Sequence, residues 1–309
     1  MKKIFALVLV LSLVFAFAAC KGTTEPTTEA TTEATPVEGV MSYADFVAAE
    51  LDTEVKVETY VQAKQGWWTD SSTGKSQASI YTQNEDGAFF LYNLECTEED
   101  YAKLVPGTKI RVTGTKSEWS GEVEIIDATY EIIDGNFIAT ATDVTDKLGT
   151  EDIVNYQNQL VSFKGMTVEA STDGDGNEAA FLYSHDGSGS HDGNSDLYFK
   201  VSKDGQTYTF TVESYLCGND TDVYKAVEGL KVGDVIDMEG FLYWYNGVNP
   251  HITAVAAAAA DGAEDAATEA DATTEADATT EAPADDATEA DAAETTEAAA
   301  EDTTAEAAD

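Results

Sequence analysis

Residues 104–114 read LVPGTKIRVTG, and residues 230–240 read LKVGDVIDMEG. In both segments a leucine stands three positions before a glycine, and a second glycine follows seven positions later. Between the two glycines apolar and polar residues alternate, which predicts a β-strand. A glycine at the end of such a strand marks a bulge or a sharp bend. A shift of 126 residues superimposes the two segments, so the sequence predicts one β module that is present twice.

The repeat extends beyond these two segments. The shift of 126 continues through paired glycine, isoleucine and alanine positions: Gly121 with Gly247, Ile126 with Ile252, and Ala128 with Ala254. Upstream the shift falls to 121, which places Cys96 on Cys217. The shift changes because the second copy has an insertion between this cysteine and the leucine at 230. Equivalent cysteines in two domains meet only across the domain interface. We therefore expect each to be a small buried apolar residue rather than half of a disulfide.

The first copy predicts five strands and one helix. Thr97 followed by three acids is typical of a helix start, and Pro106-Gly107 ends that helix before the fourth strand. Helix-like segments at 42–50 and 150–158 precede the two copies. Five segments alternate apolar and polar residues with the period of a strand: 55–61, 78–82, 88–94, 109–115 and 122–132.

This order of elements, with its glycine-bearing fourth strand, resembles the OB-fold, a five-stranded Greek-key barrel. The resemblance implies a mainly β fold class with two tandem five-stranded OB-fold-like barrels. Each barrel has one short helix between strands 3 and 4, and disordered low-complexity tails flank the pair. The expected domains are 41–138, with an N-terminal helix, and 139–256, with a loop insertion. The whole chain resembles tandem OB-type surface lipoproteins of Gram-positive, Clostridia-type bacteria, a group without a settled activity.

The N-terminus is typical of an export signal. Lys2 and Lys3 precede an apolar run at 4–17, which is followed by Ala18-Ala19-Cys20. This ending resembles the lipobox of bacterial lipoproteins, with Phe17 in place of the usual leucine, and implies that Cys20 carries lipid. Residues 1–20 are then a lipoprotein signal peptide together with its lipobox cysteine, and the mature protein is anchored through Cys20 on the extracytoplasmic face of the cell membrane. An ordinary secretory signal is the alternative.

Charge is distributed unevenly along the chain, whose formal net charge is −43. Residues 21–40 form a Thr/Glu/Ala tether, and residues 257–309 form an acidic tail in which no basic residue occurs. Such segments bury too little apolar surface to fold, so we expect both to be disordered. Residues 41–260 keep 37 acidic against 13 basic residues. This excess opposes phosphate, so nucleic acid is an unlikely partner of the predicted barrels.

The sequence offers little chemistry for catalysis or metal binding. No GxSxG, HExxH, phosphate-binding loop or CxxC motif occurs, so we expect a non-enzymatic protein without a cofactor. The insertion at 184–196 repeats His-Asp-Gly, which is a weak indication of a divalent-cation site. Its glycines favour a solvated loop instead. The candidate metal ligands are His185, Asp186, His191 and Asp192.

Aromatic residues are the candidate ligand-binding groups. In an OB-fold the ligand lies on strands 2 and 3, bordered by the 1–2 and 4–5 loops. Aromatic rings at these places stack on sugars and bases alike, or pack the barrel ends and the contact between barrels. The predicted function is recognition of a glycan or a protein partner; the alternatives are binding of single-stranded nucleic acid or nucleotides, and a structural surface spacer. The candidate residues are Trp67, Trp68, Tyr81, Tyr92, Trp119, Tyr243, Trp244 and Tyr245.

Overall fold

The computed structural model describes residues 38–258. The predicted signal peptide, the lipid-bearing Cys20, most of the tether and the acidic tail lie outside the described residues. Between residues 38 and 258, no helix is long and apolar enough to cross a membrane. This part of the chain is mostly strand, with short helices at the barrel ends.

Five strands of the first copy close into a barrel. Their order in the sheet is β1-β5-β6-β4-β3, and β1 also pairs with β3, which completes the closure. The short strand β2 extends the edge at β3. The elements are α1 (Tyr43–Ala48), β1 (Glu54–Lys64), β2 (Trp68–Thr69), β3 (Ser76–Gln83), β4 (Ala88–Glu95), α2 (Glu98–Lys103), β5 (Thr108–Trp119) and β6 (Glu122–Asn136).

The second copy forms a barrel with the same strand order. The sheet runs β12-β13-β15-β14-β8, and β12 pairs back to β8. Two 3-10 helices, Thr145–Lys147 and Glu151–Tyr156, precede this barrel. The elements are β7 (Thr142–Asp143), β8 (Leu160–Glu169), β9 (Ser171–Thr172), β10 (Glu178–Ala179), β11 (Leu182–Tyr183), β12 (Leu197–Lys203), β13 (Gln206–Val212), α3 (Asp222–Glu228), β14 (Val235–Phe241) and β15 (His251–Ala257).

The predicted fold class is confirmed. The described residues are mainly β and form two closed five-stranded barrels, each with one short helix between its third and fourth barrel strands. Thr97 caps α2, since its hydroxyl accepts a hydrogen bond from the backbone N–H of Asp100 at 3.1 Å. The helix-like segment at 42–50 contains α1, and the one at 150–158 contains a 3-10 helix.

The paired glycines explain why both barrels close in the same way. Gly114 and Gly240 lie at register shifts where the fourth strand of each barrel passes the fifth. A Cβ atom at Gly240 would lie 2.3 Å from the His251 carbonyl oxygen, and one at Gly114 would lie 2.8 Å from that of Ile126. Only glycine permits this close approach of two backbones.

Helix α1 is fixed to the first barrel by a buried lysine. Lys116 is 6% exposed, and its Nζ donates to the carbonyls of Phe46, Val47 and Ala49 at 2.9, 3.0 and 2.7 Å. Burial lowers the pKa of Lys116. The charged group therefore caps the C-terminal end of α1, where a helix leaves its carbonyls unpaired.

The two cysteines of the barrels are buried and free, as predicted from their equivalent positions. Cys96 is 6% exposed and Cys217 is 8% exposed. Burial raises the pKa of the Cys217 thiol to about 11. Both side chains therefore contribute apolar volume and hold little reactive thiolate at neutral pH.

Candidate ligand-binding cleft between the two barrels

A buried aromatic contact joins the barrels. The Tyr81 ring of β3 stacks on the Phe241 ring of β14, with centroids 4.4 Å apart and planes 14° apart. The Tyr81 hydroxyl lies 2.8 Å from Nδ1 of His251, at the start of β15. Beside them, Phe90 of β4 packs edge-on against Tyr243 at 5.6 Å. The ligand-facing strands that the OB resemblance assigns to the first barrel are thus partly covered by the second barrel.

One predicted ligand-binding residue is corrected by this interface. Tyr81 is 0% exposed, so its ring cannot stack on a ligand; the prediction for Tyr81 was wrong because the second barrel packs on β3. Trp244 is half-buried: its indole packs against the core of the second barrel and covers Gly121, where a Cβ would lie 2.7 Å from the ring. A ligand-binding role for Trp244 stays a prediction.

A buried carboxyl group holds the turns of the two barrels together. Glu122 is 0% exposed, and its Oε2 accepts a hydrogen bond from the Trp244 backbone N–H at 2.9 Å. Burial raises the pKa of Glu122 to about 9. The group is therefore neutral at pH 7. A second link joins the turns where the Asn246 N–H donates to the Ser120 carbonyl at 2.7 Å.

Beside this interface lies a cleft of about 920 Å³ that both barrels line. Tyr92, Trp119 and Tyr245 are 46%, 54% and 50% exposed. The rings of Trp119 and Tyr245 contact each other with centroids 5.2 Å apart. The cleft brings together four of the eight predicted ligand-binding residues: Tyr92, Trp119, Tyr243 and Tyr245.

The titratable side chains of the cleft include two carboxyl groups. Asp196 and Glu213 line it, against the single lysine of the described lining, Lys200. Gln65 of the first barrel donates to Oε2 of Glu213 at 3.1 Å across the interface. Burial, followed by the nearby Asp196, raises the pKa of Glu213 to about 7. Asp196 is held in place by Ser214, whose N–H and hydroxyl donate to it at 2.8 and 2.7 Å.

His251 forms part of the cleft wall next to these carboxyl groups. Its ring stacks on Tyr243, with centroids 4.3 Å apart and planes 23° apart. The side chain is 7% exposed, and burial lowers the pKa of His251 to about 3. The imidazole is therefore neutral at physiological pH.

Two of the three candidate tryptophans of the first barrel, Trp67 and Trp68, lie outside this cleft. The Trp67 indole N–H donates to the Cys96 carbonyl at 3.0 Å, and the half-buried ring lines a different depression beside α2. Trp68 lies on β2, pairs with Gln77 and is 45% exposed. Of the three, Trp119 alone reaches the lining between the barrels.

The insertion at 184–196 does not form the weakly predicted metal site. Nδ1 of His191 lies 2.6 Å from Oε1 of Glu228 on α3, whereas His185 lines the cleft near Tyr198. Asp186 accepts a hydrogen bond from the Ser188 N–H at 3.0 Å, and Asp192 is exposed. In the part of the chain that the structure describes, no group of three or more His, Cys, Asp or Glu side chains could hold a metal ion. The prediction fails because the two His-Asp-Gly turns face different partners.

Sequence reasoning missed the polar half of the cleft, namely Gln65, Asp196, Glu213 and His251. For His251 the sequence did contain an indication, which lies in the comparison of the two copies. The shift of 126 aligns it with Ile125, which is 0% exposed in the first barrel. A histidine where the other copy buries an isoleucine indicates a polar group with a specific partner.

Comparisons with known proteins give distant likenesses. No protein-family model matches the chain, and no curated protein matches it in sequence. A murine DNA-binding protein bound with double-stranded DNA is 11% identical, with a TM-score of 0.34, over 66% of this chain and 99% of that chain. The p204 HINb domain is 11% identical, with a TM-score of 0.31, over 65% and 94% of the two chains.

A replication protein A heterotrimer bound to single-stranded DNA is 11% identical, with a TM-score of 0.28, over 71% of this chain and 52% of that chain. Likenesses this low carry no argument about the function of this chain. Fold similarity also leaves function open, because barrels of this kind carry unrelated ligands.

Proposed function

We propose that this protein binds a glycan in the cleft between its two barrels. The observation that carries the proposal is the joint lining of the cleft, in which Tyr92 and Trp119 of one barrel face Tyr245 of the other. A volume of about 920 Å³ is within the range of small-ligand sites, and a few placed polar groups among aromatic walls are typical of them. A concave site of this size suits an oligosaccharide better than a protein partner, which needs a broad contact of roughly 800 Å² on each side.

The charge of the cleft favours an uncharged ligand. Asp196 repels phosphate and accepts hydrogen bonds, and Glu213 does the same in its ionised form, whereas Lys200 is the one lysine among the described residues that line the site. Sugar hydroxyls can donate to these carboxyl groups. Within residues 41–260 acidic residues outnumber basic ones, and this negative charge also repels anionic ligands at long range.

Binding of single-stranded nucleic acid or a nucleotide is the second candidate. The observation in its favour is the set of half-exposed rings in the cleft, since bases stack on such rings with little sequence preference. OB-type barrels also carry oligonucleotides in other proteins. A groove for a polyanion, however, should present basic residues along the strand.

We further propose that the protein acts as a lipid-anchored, non-enzymatic binding protein on the extracytoplasmic face of the membrane. The support is the lipobox-like ending at Cys20, followed by the Thr/Glu/Ala tether that would hold the barrels away from the bilayer. Growth with an alkyne fatty acid should label the wild-type chain. The Cys20→Ser variant should remain unlabelled, and labelling of that variant would contradict the anchor.

The glycan proposal is tested by screening the full chain, carrying Cys20→Ser for solubility, on a glycan array and against fluorescent oligonucleotides. At 150 mM salt we expect retention of at least one glycan class and no shift of the oligonucleotides. Tight binding to the oligonucleotides without glycan binding would replace the first candidate by the second. If neither class binds, the structural-spacer alternative takes their place.

A further inference from the structure

The hydrogen bond between Tyr81 and His251 determines which nitrogen of the histidine carries a proton. Tyr81 is 0% exposed, and among the described groups its hydroxyl has His251 Nδ1 as hydrogen-bond partner, at 2.8 Å. A buried hydroxyl that donates to nothing loses its hydrogen bond to water without compensation. The tyrosine O–H is therefore directed at Nδ1, and Nδ1 accepts.

This arrangement leaves a donor on the opposite side of the imidazole. Burial keeps His251 neutral by lowering its pKa to about 3, and a neutral imidazole has one N–H. Because Nδ1 accepts, that proton lies on Nε2. Within residues 38–258 no group is hydrogen-bonded to Nε2, and this nitrogen is not among the enclosed side-chain atoms that lack a partner. Since the ring lines the cleft, a ligand can reach the N–H.

The residues around this N–H determine which hydrogen-bond acceptor it can bind. Tyr243 lies flat against one face of the imidazole, and Phe90 packs edge-on against Tyr243, so aromatic rings form this part of the cleft wall. Asp196, and Glu213 when it is ionised, disfavour an anionic acceptor such as a carboxylate or a phosphate. An acceptor that is neutral, strong and attached to a small apolar group suits the site. An acetamido group has this chemistry, with a carbonyl oxygen for Nε2–H and a methyl group for the aromatic wall.

We infer that His251 is a specificity-determining residue that selects sugars carrying an acetamido group, such as N-acetylglucosamine oligomers, by donating from Nε2 to the amide carbonyl. The inference rests on the proposed glycan function and deepens it. Tyr81 is the positioning residue, because it holds the tautomer of His251 from the other barrel without touching the ligand.

The test compares two hexasaccharides that differ at one substituent. The N-acetylglucosamine hexamer and the glucose hexamer, both β-1,4-linked, carry an acetamido group and a hydroxyl respectively at C2. We expect the full chain with Cys20→Ser to bind the acetamido hexamer at least about tenfold more tightly by calorimetry. In Tyr81→Phe, which retains the stacked ring and loses the O–H, the preference should fall below about threefold while the glucose hexamer binds as before.

A second measurement is independent of any ligand and of the variant's stability. Long-range ¹H–¹⁵N spectra of the free wild-type chain report the tautomer of each histidine. We expect a protonated Nε2 and an unprotonated Nδ1 for His251, and a protonated Nδ1 would overturn the inference. Equal binding of the two hexamers would overturn it too and leave the glycan function standing. Binding of neither hexamer, together with an empty glycan array, would overturn both.

Discussion

The rings of Trp119 and Tyr245 lie 5.2 Å apart, and the two residues occupy equivalent positions 126 residues apart in the duplicated module. Duplication therefore placed the same turn of each barrel next to its counterpart. The neighbouring equivalents Ser120 and Asn246 are joined by a backbone hydrogen bond of 2.7 Å. The cleft is thus a product of the pairing of two barrels, and neither barrel alone contains it.

Removing an exposed ring of the cleft should weaken ligand binding and leave the fold intact. We expect Trp119→Ala to raise the Kd of the bound glycan roughly two- to twelvefold, since one aromatic stacking contact contributes about 0.5–1.5 kcal/mol. Trp119 is 54% exposed, so thermal unfolding should change little. Trp68→Ala is the matched control, because Trp68 is 45% exposed and lies outside the cleft. An equal loss of binding in both variants would contradict the assignment.

Stability should fall as the pH rises from 7 to 9 because of Glu122. Its folded-state pKa of about 9 lies above the ordinary value of 4.5, so the folded chain retains a proton that the unfolded chain has lost. The stabilisation is complete below pH 4.5 and is lost as the pH rises toward 9. The slope can reach about 1.4 kcal/mol per pH unit for one group.

Denaturant unfolding at pH 7, 8 and 9 measures this slope. Glu122→Gln keeps an uncharged side chain of the same shape and should flatten the curve over that range. Glu118→Gln, at an exposed position near the same turn, should leave the slope as it is. An unchanged slope in Glu122→Gln would show that this carboxyl group is not the source.

The turn glycine beneath Trp244 should be irreplaceable for a steric reason. Gly121 has φ of +88°, and a Cβ there would lie 2.7 Å from the Trp244 ring. Gly205 is a matched control, because it has φ of +80° in the β12–β13 hairpin turn and open space around it. Both alanine variants should carry backbone strain of about 1 kcal/mol.

Only Gly121→Ala should also separate the barrels, which would increase the exposure of the Trp244 indole. We expect it to lower the free energy of unfolding by roughly 1–3 kcal/mol more than Gly205→Ala does. Denaturant titrations with tryptophan fluorescence compare the two variants. Equal losses would contradict the packing of Trp244 on Gly121.

Helix α1 should depend on the buried ammonium group of Lys116. Lys116→Met keeps most of the side-chain volume and removes three charge-assisted hydrogen bonds, so we expect a loss of roughly 1–3 kcal/mol. Lys103→Met is the control, because Lys103 is half-exposed and its ion pairs with Glu99 and Asp100 contribute little. Hydrogen exchange at the α1 amides should increase in Lys116→Met alone. Unchanged exchange there would contradict the capping role.

The barrel architecture could be predicted because short stretches of sequence determine its strands and bends. Alternating residues define the strands, and Gly114 and Gly240 stand at the same bulge in both copies. Because the module is present twice, the pattern of an element in one copy could be compared with the same pattern in the other. Lys116 shows the limit of such patterns, since in sequence it is one more basic residue of a strand and in the fold it is buried against α1.

The site was only half predictable because it depends on how the barrels pack. Tyr81 and Tyr92 are both aromatic residues of neighbouring strands, yet one is enclosed by the second barrel and the other is 46% exposed. No periodicity distinguishes them. Glu213 and His251 join the cleft for the same reason, through contacts to Gln65 and Tyr81 of the first barrel.

The most direct test follows the indole N–H signals of the four tryptophans while the N-acetylglucosamine hexamer is added to the ¹⁵N-labelled chain. Each tryptophan gives one signal, and each occupies a different place in the fold. Binding in the cleft predicts a saturable shift of the Trp119 signal, with the Trp67 and Trp68 signals unmoved. A shift confined to Trp67 and Trp68, or no shift at ligand concentrations that saturate the chain by calorimetry, would contradict binding in the cleft between the barrels.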